Sequence, residues 1–460
     1  MKKVITLSDL NSGQKKAIQV GREWWKSDEQ CLVISGKPGT GKTSIAEFIV
    51  NELDDIDALY CAPTHEAVGQ LSDRIGENTI CETAHRALGL KANKNFKELV
   101  FETTGLPRAY QDKNCLIMDE ASMAGDELTQ EGQGLLRHAT DLFEKIIFLA
   151  DWAQLPPIGA ESGDSPVFTK GYRMEELTQV ERHEGDILVF VNLVRDMILS
   201  RVKSCPKAFG EIREIKAKQG LVPEFPSDIK RAIMEGRGRV ITWTNGKTTK
   251  SIVPGVREYN SYFRTQKFGE LAALQNPFLE TEIIVFSTHS YLLDNDSELH
   301  ENVRDVDFDA KLLKRQATSN ARGQVKQVSK ATVLRIECWK LEVSMLKGGE
   351  CTIYVPTKSG ELKYKETLDK FNAMAEAFVG AERAKVYNLK HTFSQMFTFA
   401  TPSYGQTGQK AQGASIEVVC VDVRNILQMR PDQWKVAFKL LNVACSRATQ
   451  QLVLIKGERW

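Results

Sequence analysis

Apolar residues arrive in short runs, separated by polar stretches of helical character. "CLVIS" (31–35), "ALYCAPT" (58–64), "CLIMDE" (115–120) and "EKIIFLADWAQLPP" (144–157) each place a continuous apolar run ahead of a polar landmark. Runs of that length, unbroken by alternation, read as strands buried on both faces. After the first run, "KTSIAEFIV" (42–50) brings Ile45, Phe48 and Ile49 to one side at helical spacing. Strands alternating with helices predict a mostly parallel sheet covered on both faces, and in such sheets the chemistry lies beyond the C-terminal ends of the strands. Thr64, Asp119, Glu120 and Asp151 all fall there.

The same theme returns near residue 186. "GRVITWTNGKTTKSIVPGVREYNSYFR" (238–264) reads as strand, turn and helix, and the chain closes with "EVVCVDV" (417–423), a helix within 434–448, and the strand "QLVLIKG". Between these, "TEIIVFSTHS", "ATVLRIECWKLEVSM" and "CTIYVPT" are β-like, with polar linkers among them. This predicts a first α/β unit over 1–185 and a second split into 186–280 and 396–460. Residues 281–395 are expected to form a small β-rich insertion.

A chain of 460 residues is too long for one core and suggests roughly two to four domains. With 42% hydrophobic and 26% charged residues it reads as globular. The formal net charge of +1 means that a phosphate-backbone partner must be met by local basic patches rather than by a global field. Nine scattered cysteines without a C-x-x-C pair indicate neither a disulfide framework nor a cysteine zinc site, and suit a reducing compartment. "MKKVITLSDLNSGQ" lacks an apolar run of secretory length, and no apolar stretch approaches a membrane span. A cytoplasmic protein is expected, in the host cytoplasm if the source is viral.

"GKPGTGKT" (36–43) fits G-x-x-x-x-G-K-[ST], with the required strand before it and helix after it. Gly36, Gly39 and Gly41, with Pro38 and Thr40 between them, let successive amides turn around phosphate oxygens, and the following helix adds its N-terminal N–H groups. Lys42 is placed to reach the β- and γ-phosphates of ATP, and the Thr43 hydroxyl to ligate Mg²⁺. Asp119 and Glu120 close a strand of the same inferred sheet. Asp119 is expected to hold the metal through water, and Glu120 to orient or deprotonate the attacking water. Gln154, just past the fourth strand, is a candidate to hydrogen-bond the γ-phosphate or its water; the alternative is a polar turn before Pro156 and Pro157. One side of the γ-phosphate stays open in such a unit. Arg447, after the last helix of the second unit, is a candidate to close it; the bland alternative is an arginine satisfying a helix C-terminus.

Taken together these motifs resemble superfamily 1 DNA helicases of the RecD-like, 5′-to-3′ branch, most closely the Dda-type helicases of bacteriophages. The resemblance spans almost the whole chain, with the motifs in the family's order. It implies two RecA-like P-loop motor domains with a β-hairpin insertion at about 90–112 in the first and an SH3-like β-rich insertion in the second. "LNSGQKKAI" resembles the family's glutamine motif and implies Gln14 against the adenine. "GKPGTGKT", "DEAS" and "DWAQLPP" are similar to motifs I to III, with Ala150 where the family has glycine. "LTQVER" resembles motif IV and implies a phosphate contact by Arg182. "GQKAQGAS" is similar to motif V and implies that Gln412 and Gly413 lie at the nucleotide and Thr407 at the DNA; Gln409 stands in the position of a histidine. "NVACSRATQQLVLI" is similar to motif VI, and Arg447 matches its arginine finger.

"CAPTHEAVGQL" and "TAHRALGL" resemble the segments that imply Pro63, Thr64, His65 and His85 along a single strand. Phe101, in the expected hairpin, is the implied duplex-splitting aromatic. Single-stranded nucleic acid also calls for stacking platforms; Phe96, Phe101, Trp243 and "MFTFATPSY" (396–404) are candidates, though most aromatics in such a chain are core. The expected activity is therefore ATP-dependent, Mg²⁺-assisted 5′-to-3′ movement on single-stranded DNA with unwinding at single-strand/duplex junctions. A monomer is expected, with a single-strand-binding or replication protein as a candidate partner. The alternatives are an RNA-directed motor, an ATP-binding scaffold and a small-molecule kinase.

Overall fold

The computed structural model describes residues 7–457 apart from 54, 76–78, 94–99, 104, 127–133, 158–163, 180–184, 201–204, 248–250, 289, 294–311, 318–319, 347 and 430–432. The first unit runs α1 (Ser12–Trp25), β1 (Cys31–Gly36), α2 (Lys42–Glu52), β2 (Ala58–Ala62), α3 (His65–Ser72), β3 (Cys81–Thr83) and α4 (Ala84–Ala87). It continues through β4 (Leu90–Asn93), β5 (Val100–Thr103), β6 (Cys115–Met118), α5 (Leu135–Leu142), β7 (Lys145–Ala150), α6 (Pro166–Thr169) and β8 (Arg173–Leu177). Six strands pair in parallel in the order β3-β2-β6-β7-β1-β8. Every residue of β1 is buried because apolar helices cover both faces. Ile18, Trp24, Ile45 and Ile49 of α1 and α2 fill one side; Leu135, Leu136 and Ala139 of α5 fill the other. β4 and β5 form a separate antiparallel pair, Leu90 opposite Thr103.

The second unit comprises α7 (Asp186–Ser200), β9 (Arg213–Ala217), α8 (Ser227–Met234), β10 (Gly238–Thr242), α9 (Val256–Phe268) and α10 (Glu270–Gln275). The chain then leaves for β11 (Ile283–Phe286), β12 (Ser290–Leu293), β13 (Leu312–Ala317), β14 (Arg322–Val333), β15 (Ile336–Met345), β16 (Glu350–Pro356), α11 (Lys358–Ala377), α12 (Gly380–Gln395) and β17 (Ala400–Pro402). It returns through β18 (Gly405–Thr407), α13 (Gly408–Ala411), β19 (Ile416–Asp422), α14 (Val423–Ile426), α15 (Trp434–Cys445) and β20 (Ala448–Gly457). The second parallel sheet has the order β18-β10-β19-β20-β9. Phe190, Val194 and Ile198 of α7 share one core with Phe438 and Leu441 of α15, and also with Ala153 and Leu155 from the first unit. The apolar core is thus continuous between the two units.

The stretch between them departs from a purely β reading. Its five-stranded antiparallel sheet, β16-β15-β14-β11-β17, is accompanied by two long helices over 358–395. Thr357 caps α11 by accepting from Gly360 N at 3.0 Å, and Phe371, Ala375, Val386 and Phe393 bury one side of the helix pair. Helical spacing of those apolar residues outweighs the β character of the strands before them. "ATVLRIECWKLEVSM" also divides. Leu334 and Arg335 adopt φ of 47° and 62° and form a two-residue turn between Val333 and Ile336. That turn normally calls for Asn-Gly, so its residues hide it.

Candidate functional site

The phosphate loop leaves β1, which lies between β7 and the edge strand β8. Gly39 and Gly41 take φ of 86° and 89°, which only glycine adopts readily. α2 then starts at Gly41 without a side-chain cap, so its first-turn amides face the loop with no side-chain acceptor. Lys42 Nζ lies over the same loop, donating to Gly36 O at 2.7 Å and Lys37 O at 3.2 Å. Thr40 Oγ1 donates to Lys37 O at 2.9 Å, and Thr43 is buried at the head of α2. Uncapped amides, a lysine and a hydroxyl in one cradle are a donor set suited to a polyphosphate and its divalent cation.

Asp119 and Glu120 follow β6, two strands from β1. Glu120 N donates to Asp119 Oδ1 at 2.8 Å, and Glu120 itself holds a left-handed φ of 52°. A non-glycine residue is kept there only by its surroundings. Burial and the neighbouring Asp119 push the Glu120 carboxyl above the usual range, while Arg447, Lys42 and a hydrogen bond from Gln154 pull it back down. Four of the expected site residues therefore act on one carboxylate, and one of them, Arg447, comes from the second unit. Arg447 is buried and anchored by Nε to Val443 O at 3.1 Å and Nη2 to Ser446 Oγ at 2.9 Å. Gln412 Nε2 reaches Gln154 Oε1 at 3.0 Å, Asn442 Nδ2 reaches Ala153 O at 2.9 Å, and Gln70 donates to Gly413 O. The loop after β7 and the end of α3 are thereby tied to the second unit.

Beside this centre runs a cavity of about 1760 Å³. The first unit lines it with Pro63, Thr64, His85 and Phe101, the second with Arg257, Thr407 and Lys410, and the antiparallel sheet with Val285, Arg322 and Leu346. Among the described residues its charged lining is Arg86, Lys91, Arg239, Arg257, Arg264, Arg322 and Lys410, against Glu82 alone. An almost neutral chain thus presents a locally basic surface in this cavity, as a polyanion requires.

The profile of the AAA domain family matches residues 9–198. The ATP-dependent DNA helicase dda of Enterobacteria phage T4 is 27% identical over 309 residues, which is 64% of this chain and 67% of that protein. The chain is related to the Dda-type helicases of superfamily 1. Among solved structures, Bacteroides Pif1 bound to single-stranded DNA is 13% identical, covering 96% of this chain and 92% of that one at a TM-score of 0.47. Pif1 helicase from Candida albicans is 15% identical, covering 97% and 94% at a TM-score of 0.41.

The structure brings most of the expected residues of this Dda relative together, and separates a few. Gln14 is buried with both ends of its amide engaged: Oε1 accepts from Asn11 N at 3.1 Å and Nε2 donates to Thr40 O at 3.1 Å. It braces the phosphate loop on α1, and an adenine contact would need that amide to change partners. Pro38 lies in the loop, half-buried. His85 and Phe101 meet ring to ring at 4.9 Å, so α4 supports the β4–β5 pair. Trp243 packs against the second unit's core rather than lining the cavity. It follows the end of β10 and is half-buried there. Arg182, Phe96 and the side chain of His65 lie outside the described residues.

Sequence reasoning missed the channel arginines: Arg257 and Arg264 share α9, but Arg86, Arg239 and Arg322 sit on separate elements with no shared motif. It also missed Asp164, whose carboxylate takes Lys435 Nζ at 2.6 Å and Lys439 Nζ at 3.3 Å across the two units. Burial opposes charge on Asp164, but the two lysines outweigh it and hold the carboxyl below its ordinary range. The signal was there in part: Lys435 and Lys439 are four apart on one helix, hence on one face.

Proposed function

We propose that this protein is an ATP-dependent DNA helicase that moves 5′ to 3′ on single-stranded DNA and opens duplex at junctions. The observation that carries the reading is Glu120: a half-buried carboxylate after a strand of the phosphate-loop sheet, flanked by Lys42 from its own unit and Arg447 from the other, beside a basic channel lined by both. The relation to the T4 helicase dda supports DNA as the polymer and unwinding as the output.

In this reading the loop amides and Lys42 bind the β- and γ-phosphates, and Thr43 and Asp119 hold Mg²⁺. The metal, when bound, neutralises charge shared by those phosphates. Glu120 takes the proton of the attacking water, Gln154 orients that water, and Arg447 meets the charge that develops on the γ-phosphoryl group. Because Gln412, Asn442 and Arg447 all belong to the second unit, nucleotide binding draws the units together and hydrolysis releases them. Both units line the channel, so alternate closing and opening advances them along a strand. Phe101 on the β4–β5 hairpin, supported by His85, is the wedge against the duplex, and the antiparallel sheet corresponds to the SH3-like insertion. The enzyme acts as a cytoplasmic monomer.

The test is ATP hydrolysis without polymer, with oligo-dT and with a matched RNA, followed by unwinding of duplexes carrying a 5′ or a 3′ tail. DNA stimulation abolished in Lys42→Ala, with unwinding confined to the 5′-tailed substrate, is expected. Hydrolysis indifferent to both polymers overturns the motor reading, and preference for the 3′ tail overturns the polarity.

A further inference from the structure

Asp151 closes β7 and is fully buried at the head of the turn that carries Gln154. Its backbone N–H donates to Ser122 Oγ at 2.8 Å, and that hydroxyl donates back to Asp151 O at 3.0 Å. Ser122 lies two residues after Glu120, so the two catalytic loops are laced together here. The Asp151 carboxylate accepts from Ala153 N at 3.0 Å, and Gln154 N donates to Asp151 O at 3.0 Å. Asp151 thus fixes the backbone at the start of the turn, while Asn442 and Gln412 hold Ala153 O and the Gln154 side chain from the other side.

What holds the carboxylate is Arg195. Its Nη1 donates to both oxygens, at 2.7 and 2.8 Å, and the side chains are 2% and 0% exposed. Arg195 belongs to α7, whose Phe190, Val194 and Ile198 are part of the second unit's core. The guanidinium also lies over the Trp152 ring, 4.6 Å from its centre. Its Nε and Nη2 make no hydrogen bond among the described residues. A pair this buried and this incompletely satisfied is a poor source of stability, since desolvation offsets most of its attraction. It is a good source of fixed geometry.

We propose that Arg195 is a positioning residue: through Asp151 it ties the stance of α7 to the Ala153–Gln154 turn, and so to water activation at Glu120. The inference rests on the motor reading above and adds a route by which the second unit governs hydrolysis without touching the nucleotide. The hydrogen bonds of that route bypass the phosphate loop, and on its Lys37 the charges of Arg195 and Asp151 act in opposite directions, so nucleotide affinity and the chemical step separate.

The experiment compares wild type with Arg195→Gln, Arg195→Lys and the double variant D151N/R195Q, which leaves no orphaned charge should the single variant fold poorly. ATP turnover is measured with and without oligo-dT, with KM for ATP and the affinity for oligo-dT. Misplacing Gln154 by a fraction of an ångström should lower DNA-stimulated kcat on the order of 10- to 100-fold. KM and DNA affinity should stay within about threefold. Arg195→Lys recovers part of the loss, and the double variant is no worse than R195Q because the two residues act as one unit. A folded double variant with DNA-stimulated kcat close to wild type overturns the proposal. So do losses that add, or a fall in DNA affinity that accounts for the whole effect. A wild-type protein that DNA does not stimulate overturns the motor reading itself; a stimulated wild type with an equally stimulated variant overturns only the role of Arg195.

Discussion

Gly89 joins α4, which carries His85, to β4 of the hairpin that carries Phe101. Its φ is +63°, and a Cβ there would fall 2.1 Å from Gly105 O and 3.3 Å from Pro107 Cδ. Gly105 is a matched control: its φ is +81°, but a Cβ would meet nothing within 4 Å. Both alanine variants therefore bear the left-handed backbone penalty of about 1–2 kcal/mol. Only Gly89→Ala adds an overlap with backbone that no rotamer can relieve, worth about 1–3 kcal/mol more. The shared term cancels in the comparison, leaving an excess opening of the hairpin of roughly 5- to 160-fold at 1.36 kcal/mol per decade. The assay is amide hydrogen exchange over Leu90–Asn93 and Val100–Thr103, referred to β1 as an internal standard, because local opening is read there without assuming a two-state protein. Unwinding of a forked duplex should fall with the hairpin in Gly89→Ala, while hydrolysis stimulated by single-stranded DNA holds within about twofold. Equal exchange in the two variants refutes the reasoning: the Gly105 carbonyl would then yield freely, and the hairpin's base would not be close-packed.

Arg447→Ala should lower kcat with saturating DNA about 10³-fold or more, as for other arginine fingers, with KM for ATP changed by a few fold at most; a loss below about tenfold in single-turnover hydrolysis counts against the finger role. Glu120 acts ionised and its carboxyl is raised by burial and Asp119, so hydrolysis should be lost, as pH falls, above the ordinary glutamate range. In Arg447→Met that acid limb should move to still higher pH, since a charge favouring the carboxylate is gone; an unmoved limb breaks the link between the two residues. Arg264→Met strands the fully buried Glu282, whose partner now stands at 2.6 Å, and should cost about 3–5 kcal/mol by denaturant titration. A buried carboxyl with a raised pKa stabilises when protonated, so the deficit should grow as pH rises out of the glutamate range, and R264M/E282Q should recover most of it. A deficit independent of pH would show that Glu282 is not the cause.

The sequence by itself determined the parts whose physics is local. A phosphate loop needs glycines, a lysine and a hydroxyl at fixed spacing between a strand and a helix, so Gly36 to Thr43 announce themselves. Continuous apolar runs ending in Asp119–Glu120 and Asp151 are legible because a strand buried on both faces cannot alternate. Arg447 was legible only through its motif; its spacing alone equally suits a helix C-terminus, which it also satisfies through Val443 O. Tertiary structure decided what depends on meetings between distant residues. Arg195 and Asp151 are 44 residues apart, Gln154 and Gln412 258, and no period or composition encodes such pairs. The channel's cations likewise come from six elements, α4, β4, β10, α9, β14 and α13, so a chain of net charge +1 gives no hint of the basic surface that folding assembles. Gln14 shows the remaining gap. Its motif names the residue, but whether its amide faces a base or the backbone of Thr40 is settled by what packs around it.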